Sequence, residues 1–392
     1  MTEAPARAVL ERVPLPAIAV GGGLAGAAFA LELARNGRRV VVLERTRSAH
    51  HTVCGEFLSE EAQVVLAALG LELHALGATS ITRFRLAKGE RQATTRLPFA
   101  AAGLSRFRLD EALLQAAERA GAEVVRGALV TGIEPGTRAI TVRAADRSWR
   151  AGAVALATGK HPLRGFARPP SQMVGFKLHL EPTAAARGLA GVVQLVFFRG
   201  GYVGACLVED GILSVAWVMR EDLVRAIGAD WPAQSAHLSR QSSLIGDLLA
   251  GARPLFAKPV ATAAIPYGYL RSQPIAPEIF PVGDQLAVVP SFTGDGMAIA
   301  LYSGLAAARA VLDGRPAAAY QREIIRRLKP QFRLAGGIGR LLETPATCGI
   351  SLAAARLVPP LVTGMASATR LRGFGDIAAS LRVGPQKSMA MK

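Results

Sequence analysis

Cysteine is scarce in this 392-residue chain: Cys54, Cys206 and Cys348 are odd in number and widely spaced. That usage excludes a disulfide framework and a cysteine-based metal cluster, and it fits a reducing cytosol. Acidic residues are also few, 29 against 46 Lys and Arg, which leaves a formal charge of +17. Arg322 to Lys392 holds twelve basic and three acidic residues, so nine of the seventeen excess charges lie there. No aromatic-interleaved basic motif or recognition-helix signature accompanies them, which argues against nucleic acid as a partner. A solvated basic face is the simple reading; peripheral contact with an anionic membrane surface or an acidic carrier is the sharper one. Met1 to Pro16 lacks a basic start followed by an apolar core, so a cytoplasmic location is expected, with membrane association only through the basic C-terminal region. Ile350 to Ala366 is apolar but contains Arg356 and Pro359-Pro360, a poor membrane span and a better lid or core helix pair. His50 and His51 face opposite ways if extended and have no third ligand nearby; we read them as surface residues and expect no metal.

What is present begins at Ala17. A short apolar run to Val20 passes into Gly21, Gly23 and Gly26 at G-x-G-x-x-G spacing, then into a helix-forming run, and then into Val40 to Leu43 ending at Glu44. Each glycine has its own task. The first permits the tight turn, the second lets a pyrophosphate approach the backbone, and the third lets helix and strand pack closely. The helix N-terminus offers unpaired N–H groups and partial positive charge to phosphates. Glu44 stands where a carboxylate accepts from a ribose 2′-OH, which favours FAD or NAD over NADP.

Length suggests two domains or one elaborate one, and an apolar content of 51% argues against disorder. Cys54 and Gly55 fall in a loop beyond the second strand, followed by a helix from Glu60 to Leu69. Thr82 to Leu86 and Ala93 to Leu97 read as a hairpin around Lys88-Gly89. Leu109, Leu113, Ala116, Ala117 and Ala120 mark one helical face that Gly121 ends. Ile140 to Trp149 suggests another hairpin, and Ala153 to Gly159 a buried strand whose natural place is beside the first. From Gly175 come longer β segments that suggest an inserted antiparallel sheet, then a helical stretch from Leu238 to Leu249. Lys177, His179, Tyr202 and Tyr267 are its candidate ligand-facing residues. The chain then returns to the first fold with a strand ending at Gly283-Asp284, a turn at Thr293 to Gly296, and a long helix of small residues.

Four motifs in this order carry a resemblance: GGGLAG followed by Glu44; Arg106-x-x-Leu109-Asp110 opening a helix; Ala157-Thr158-Gly159; and VGDQ followed by PSFTGDG and Ser303-Gly304. The chain resembles the FAD-dependent oxidoreductases of the p-hydroxybenzoate hydroxylase and geranylgeranyl reductase superfamily over about Ala17 to Gly314. The resemblance implies an α/β fold: a Rossmann-like, glutathione reductase-like FAD-binding domain, an inserted antiparallel β-sheet substrate domain, and a helical C-terminal region. The expected division is FAD-binding domain over 1–80, 101–170 and 276–330, substrate domain over 81–100 and 171–275, and a helical basic region over 331–392. Arg106 is implied at the FAD phosphates, Asp284 at the ribityl or pyrophosphate portion, and Gly294, Asp295, Gly296 and Met297 beside the isoalloxazine. With Gly21, Gly23, Gly26, Glu44, Arg45, Thr158, Gly159 and Gly283 they form the expected FAD site.

Departures from the pattern shape the functional reading. The Asp-Gly motif usual in aromatic hydroxylases is replaced by Ala157-Thr158-Gly159-Lys160-His161, and the W-x-W-x-I-P motif of flavin halogenases does not occur. Cys54-Gly55 and Ser303-Gly304 look more like the geranylgeranyl reductase branch, whose aromatic-Trp-x-Phe-Pro segment is replaced by Gly201 to Ala205. The favoured expectation is a monooxygenase of secondary metabolism. Flavin reduced by NADH or NADPH takes up O₂, and the C4a-hydroperoxide hydroxylates a hydrophobic aromatic or polyketide-like substrate. The alternative is an ene-reductase of an isoprenoid or polyene, with Cys54 or Glu56 as proton donor. A non-catalytic flavin-binding partner protein ranks last. Truncation after Pro330 is expected to impair turnover while leaving flavin bound.

Overall fold

Strand Ala17–Val20 carries no polar side chain and is buried on both faces, as a central parallel strand requires. The computed structural model describes residues 16–145 and 147–343. Five parallel strands form the first sheet, in the order Ile279–Pro281, Ala153–Leu156, Ala17–Val20, Val40–Glu44, Glu123–Arg126. Ala153 pairs with Ala17, so the ATG strand lies beside the first strand as expected.

The two faces of this sheet differ in side-chain size. Ala17, Ala19, Ala153 and Ala155 face the helices Leu24–Arg35, Arg106–Arg119 and Gly296–Leu312, and their methyl groups let those helices come close. Ile18, Val20, Val41, Leu43, Val154 and Leu156 face a three-stranded sheet, Val130–Glu134, Ile140–Ala144 and Ser148–Ala151. Each fully buried Leu or Phe in the helix layer, such as Phe29 and Leu33, contributes about 2 kcal/mol from area removed from water.

The second sheet has eight strands, in the order Val260–Thr262, Met173–Leu180, Leu213–Arg220, Gly201–Leu207, Val192–Phe198, Thr79–Lys88, Arg91–Gly103, Phe57–Leu58. It is mixed rather than antiparallel, because Val192–Phe198 runs parallel to Thr79–Lys88 where two separate insertions meet. One face, with Phe176, Leu178, Val215 and Trp217, is covered by short helices. The stretch expected as one helix from Leu238 to Leu249 is the end of Trp231–Ser239 and the whole of Ser243–Leu249, and a further short helix, Glu221–Ile227, precedes them. Ser242 caps the last of them through its own side chain, which breaks the run. The other face of the sheet looks back at the nucleotide-binding layer.

Helix Ala317–Glu343 runs through Pro330, so the expected boundary at 330 falls inside one element. Proline in a helix interior costs about 3 kcal/mol. Burial of Leu328, Phe332 and Ala335 on one stripe offsets that cost. The helix bridges both layers. Tyr320 donates to the carbonyls of Pro281 and Ser303, while Ile338 packs on Leu195 and Phe197 of the large sheet. A cut after Pro330 therefore removes the part of this helix that packs on the large sheet. The Ile350 to Ala366 segment, Cys348 and most of the basic C-terminal region lie outside the described residues. Among the described residues no helix is long and apolar enough to cross a membrane.

Candidate active site

The first glycine turn is built as its spacing demands. Gly21 has φ +110°, and a Cβ there would lie 2.4 Å from the Ala157 carbonyl oxygen. A Cβ on Gly26 would lie 1.9 Å from the Gly21 oxygen, so only glycine lets helix meet strand here. Glu44 is buried and accepts from the Gly22 amide at 2.7 Å and from the Thr46 amide and hydroxyl at 2.9 and 2.8 Å. The carboxylate thus fixes the turn, with lone pairs remaining for a ribose hydroxyl. No side chain caps the helix that starts at Leu24, which leaves its first amides for an anion.

A second helix N-terminus lies at the same place. Asp295 precedes Gly296–Leu312 without capping it by side chain, and Gly294 has left-handed φ +76°. The Ser303-Gly304 pair explains how the two helices come together. A Cβ on Gly304 would sit 2.1 Å from the Ala25 oxygen, so the helices touch backbone to backbone. The Ser303 hydroxyl meanwhile accepts from the Gly283 amide at 2.8 Å.

Between these termini and the large sheet lies a cavity of about 190 Å³. Its nucleotide wall holds Gly23, Arg106, Gly159, Lys160, Asp284, Gly294, Gly296 and Met297. Its sheet wall is apolar, with Leu195, Gly204, Ala216 and Val218 beside Phe57 and Ile265. Burial alone would lower the Arg106 pKa, but the Asp110 carboxylate, bound twice at 2.6 and 2.7 Å, and Cys54 outweigh it and raise the pKa. Two uncapped helix ends, an arginine and close glycines suit a pyrophosphate joined to a flat ring, so the residues fit FAD.

Other expected residues stand around this cavity. Lys160 pairs with Asp284 at 3.1 Å. The Thr158 to His161 loop is pinned by two residues that sequence reading passed over. Gln285 donates to Thr158 Oγ1, Gly159 O and His161 O, and Arg168 donates to the Gly159, Lys160 and Asp284 carbonyls. Arg45 is exposed and Thr158 is absent from the cavity wall. Asp295 is fully buried and accepts from Gln331 Nε2 at 2.8 Å, which turns its carboxylate toward the C-terminal helix rather than the cavity.

The remaining candidates separate into two groups. Glu56, fully buried with φ +57°, binds Lys177 Nζ, His179 Nε2 at 2.6 Å, Ser214 Oγ at 2.7 Å and the Arg106 amide at 2.8 Å. Burial raises its pKa, yet His179 and Lys177 prevail and hold it at about 2. Glu56 is then a saturated carboxylate, with no proton to donate near neutrality. Lys177 and His179 are likewise buried against Glu56 and do not line the cavity. His51 is not a plain surface residue. It stacks between Phe107 and Phe256 with Nδ1 3.4 Å from Lys177 Nζ, and burial with that ammonium lowers its pKa to about 4. His51, Glu56 and His179 place ligand-type atoms within 4.8 Å, but the cation they face is the Lys177 ammonium. Cys54 lines the cavity and its Sγ accepts from the Glu56 amide at 3.4 Å. Cys206 is buried, which raises its pKa and keeps it a thiol.

Tyr202 and Tyr267 form the second group. Both line the cavity, and both hydroxyls meet Ser291 Oγ, the Tyr267 contact at 2.6 Å. Burial pushes the Tyr202 pKa up to about 12.

Residues 15–152 match the family of FAD binding domains. That stretch of the chain carries an FAD-binding domain. Over 83 residues this flavoprotein is 36% identical to squalene epoxidase 5 of Arabidopsis thaliana, a match covering 21% of this chain and only 16% of the epoxidase. Its fold is similar to that of a flavoprotein/dehydrogenase from Cytophaga hutchinsonii, with TM-score 0.78 at 15% identity over 94% of this chain and 99% of that one. It is similar to the flavin-dependent brominase Bmp2, with TM-score 0.74 at 14% identity over 94% and 98%. It also resembles the myxobacterial chondrochloren halogenase CndH, with TM-score 0.69 at 22% identity over 81% of this flavoprotein and 80% of that chain.

Proposed function

We propose that this flavoprotein is a monooxygenase that hydroxylates a hydrophobic aromatic or polyketide-like molecule, with NADH or NADPH as electron donor. The supporting observation is the cavity, in which Gly294, Gly296 and Met297 stand opposite an apolar sheet wall. FAD, when bound and reduced, supplies the oxygen-activating chemistry. The chain's part is to hold and shield. Arg106 and the first turn of the Leu24 helix receive the phosphates, while Phe57, Leu195, Val218 and Ile265 exclude water and orient a flat apolar ring. His161 is exposed at the surface near Arg45, Lys160, Arg168 and His50, and partial desolvation together with these cations lowers its pKa. Such a positive patch suits the pyrophosphate of a nicotinamide dinucleotide.

One observation favours a second reading, reduction of an isoprenoid or polyene double bond: Cys54 lies on the cavity wall beside Arg106. Glu56 contributes no proton to either reaction.

The test is turnover of FAD-loaded protein with NADPH and air over a panel of hydrophobic phenols and polyenes, with products read by mass spectrometry. A product that gains one oxygen is expected. A product that gains two hydrogens and no oxygen, lost in Cys54→Ser, would replace this reading with the reductase. Halogen incorporation in bromide or chloride, the activity named for the brominase and halogenase neighbours, would replace it too.

A further inference from the structure

Resting on the fit to FAD and on neither reaction above, a role follows for a buried carboxylate that the chemistry described so far does not use, that of Glu209. Strands Gly201–Leu207 and Leu213–Arg220 of the large sheet are joined by a tight turn in which Asp210 and Gly211 both have left-handed φ, +57° and +73°. The turn is fastened to the sheet. Val208 is fully buried with Phe57 and Ile81, and the Thr79 hydroxyl donates to the Leu207 carbonyl at 2.7 Å. From this tip Glu209 reaches across to the nucleotide-binding layer. Its carboxylate accepts from the Ser105 amide at 2.8 Å and from the Ser105 hydroxyl, and it faces Arg108 Nε at 3.6 Å.

Ser105 is the cap of helix Arg106–Arg119, and its hydroxyl accepts from the Arg108 amide at 3.2 Å. The next amide, that of Arg106, donates to Glu56 at 2.8 Å. Two carboxylates thus hold consecutive amides at one helix start, where the helix dipole favours negative charge. The side chain that leaves the helix at this point is the Arg106 guanidinium. A Cβ on Gly23 would lie 3.5 Å from its Nη2, so the cation stands against the glycine that lets a pyrophosphate approach. A misplacement of about 1 Å is enough to undo such a fit. Glu56 also holds Lys177, His179 and Ser214, so its loss disturbs several elements at once. Among the described residues the Glu209 carboxylate pairs only with Ser105 and Arg108, and its loss acts on this helix start alone.

We infer that Glu209 is a positioning residue for FAD: through Ser105 it keeps the Arg106 guanidinium beside Gly23, so that a hairpin of the large sheet takes part in binding phosphates it does not touch. Position and charge predict opposite signs. By charge alone, removing a carboxylate near a phosphate-binding cation strengthens phosphate binding; by position, the same removal weakens it.

The measurement is equilibrium dialysis of the full-length chain against FAD, for wild type, Glu209→Ala, Arg106→Ala and the double variant, with the thermal midpoint of each. Glu209→Ala should weaken FAD about 10-fold, a loss of hydrogen bonds to a charged group. In the Arg106→Ala background the same change should alter FAD affinity by no more than about 2-fold, because its effect passes through the guanidinium. Glu209→Gln, which keeps an oxygen for the Ser105 amide, should restore most of the affinity. If Glu209→Ala does not fold, Ser105→Ala takes its place in the cycle, with an expected loss of several-fold that vanishes without the Arg106 side chain. An equal loss in both Arg106 backgrounds would leave Glu209 a structural support, tighter FAD binding would leave it a charge effect, and an unaltered affinity would leave it no part in FAD binding; each overturns the inference. A wild-type chain that binds no FAD would overturn it together with the cofactor assignment, which none of the other outcomes touches.

Discussion

The two walls of the cavity handle charge in opposite ways. On the nucleotide wall the helix ends at Leu24 and Gly296 lack side-chain caps, so positive backbone potential is left over. Beside the sheet wall the buried Lys177 ammonium and Glu56 carboxylate cancel each other, with the His179 ring hydrogen-bonded to the same carboxylate. A surface that must accept a phosphate keeps its donors unspent, and a surface that must accept an oily ring spends them internally.

The comparison can be broken first from the nucleotide side. Gly26→Val drives a side chain into the Gly21 carbonyl, and Gly304→Val drives one into that of Ala25. Each should cost about 4–5 kcal/mol and abolish FAD retention, read as flavin content after purification and as thermal midpoint. The sheet side breaks with Glu56→Gln, which leaves the Lys177 ammonium buried without a counter-charge, for about 3–4 kcal/mol. The same residue makes a pH prediction. Its pKa falls from 4.5 to about 2 on folding, so its stabilisation is complete above 4.5 and is lost as pH drops from 4.5 toward 2. Denaturant melts of the wild type should weaken through that window, and the Glu56→Gln curve should be flatter.

Smaller effects sharpen the picture. Ser303→Ala orphans the Gly283 amide for about 2 kcal/mol, and FAD should bind more weakly because Asp284 loses its anchor. Gln331→Ala releases Asp295 for about 1 kcal/mol, with substrate KM rising more than FAD affinity falls.

What the chain disclosed before folding was the local part. The Gly21 to Gly26 turn, the Glu44 carboxylate and the strand at Ala153 follow from spacing within a few residues, and they stand where that spacing placed them. Sites assembled across sequence were not legible. Glu56 meets Lys177 across 121 positions and Ser214 across 158, so no pattern around any one of them announces the cluster. His51 looked superficial because Phe107 and Phe256, its stacking partners, come from distant segments. Ser291 was hidden inside a motif noted for its glycines, and Gln331 and Arg168 looked like ordinary polar residues on or near helices.

The contact of Gly304 with Ala25 also sets an order of events during synthesis. The ribosome has already delivered every strand of the substrate sheet before the helix that completes the nucleotide wall leaves the exit tunnel. Until then a growing chain offers only one of the two helix ends, so flavin uptake is expected to follow the arrival of this helix rather than precede it.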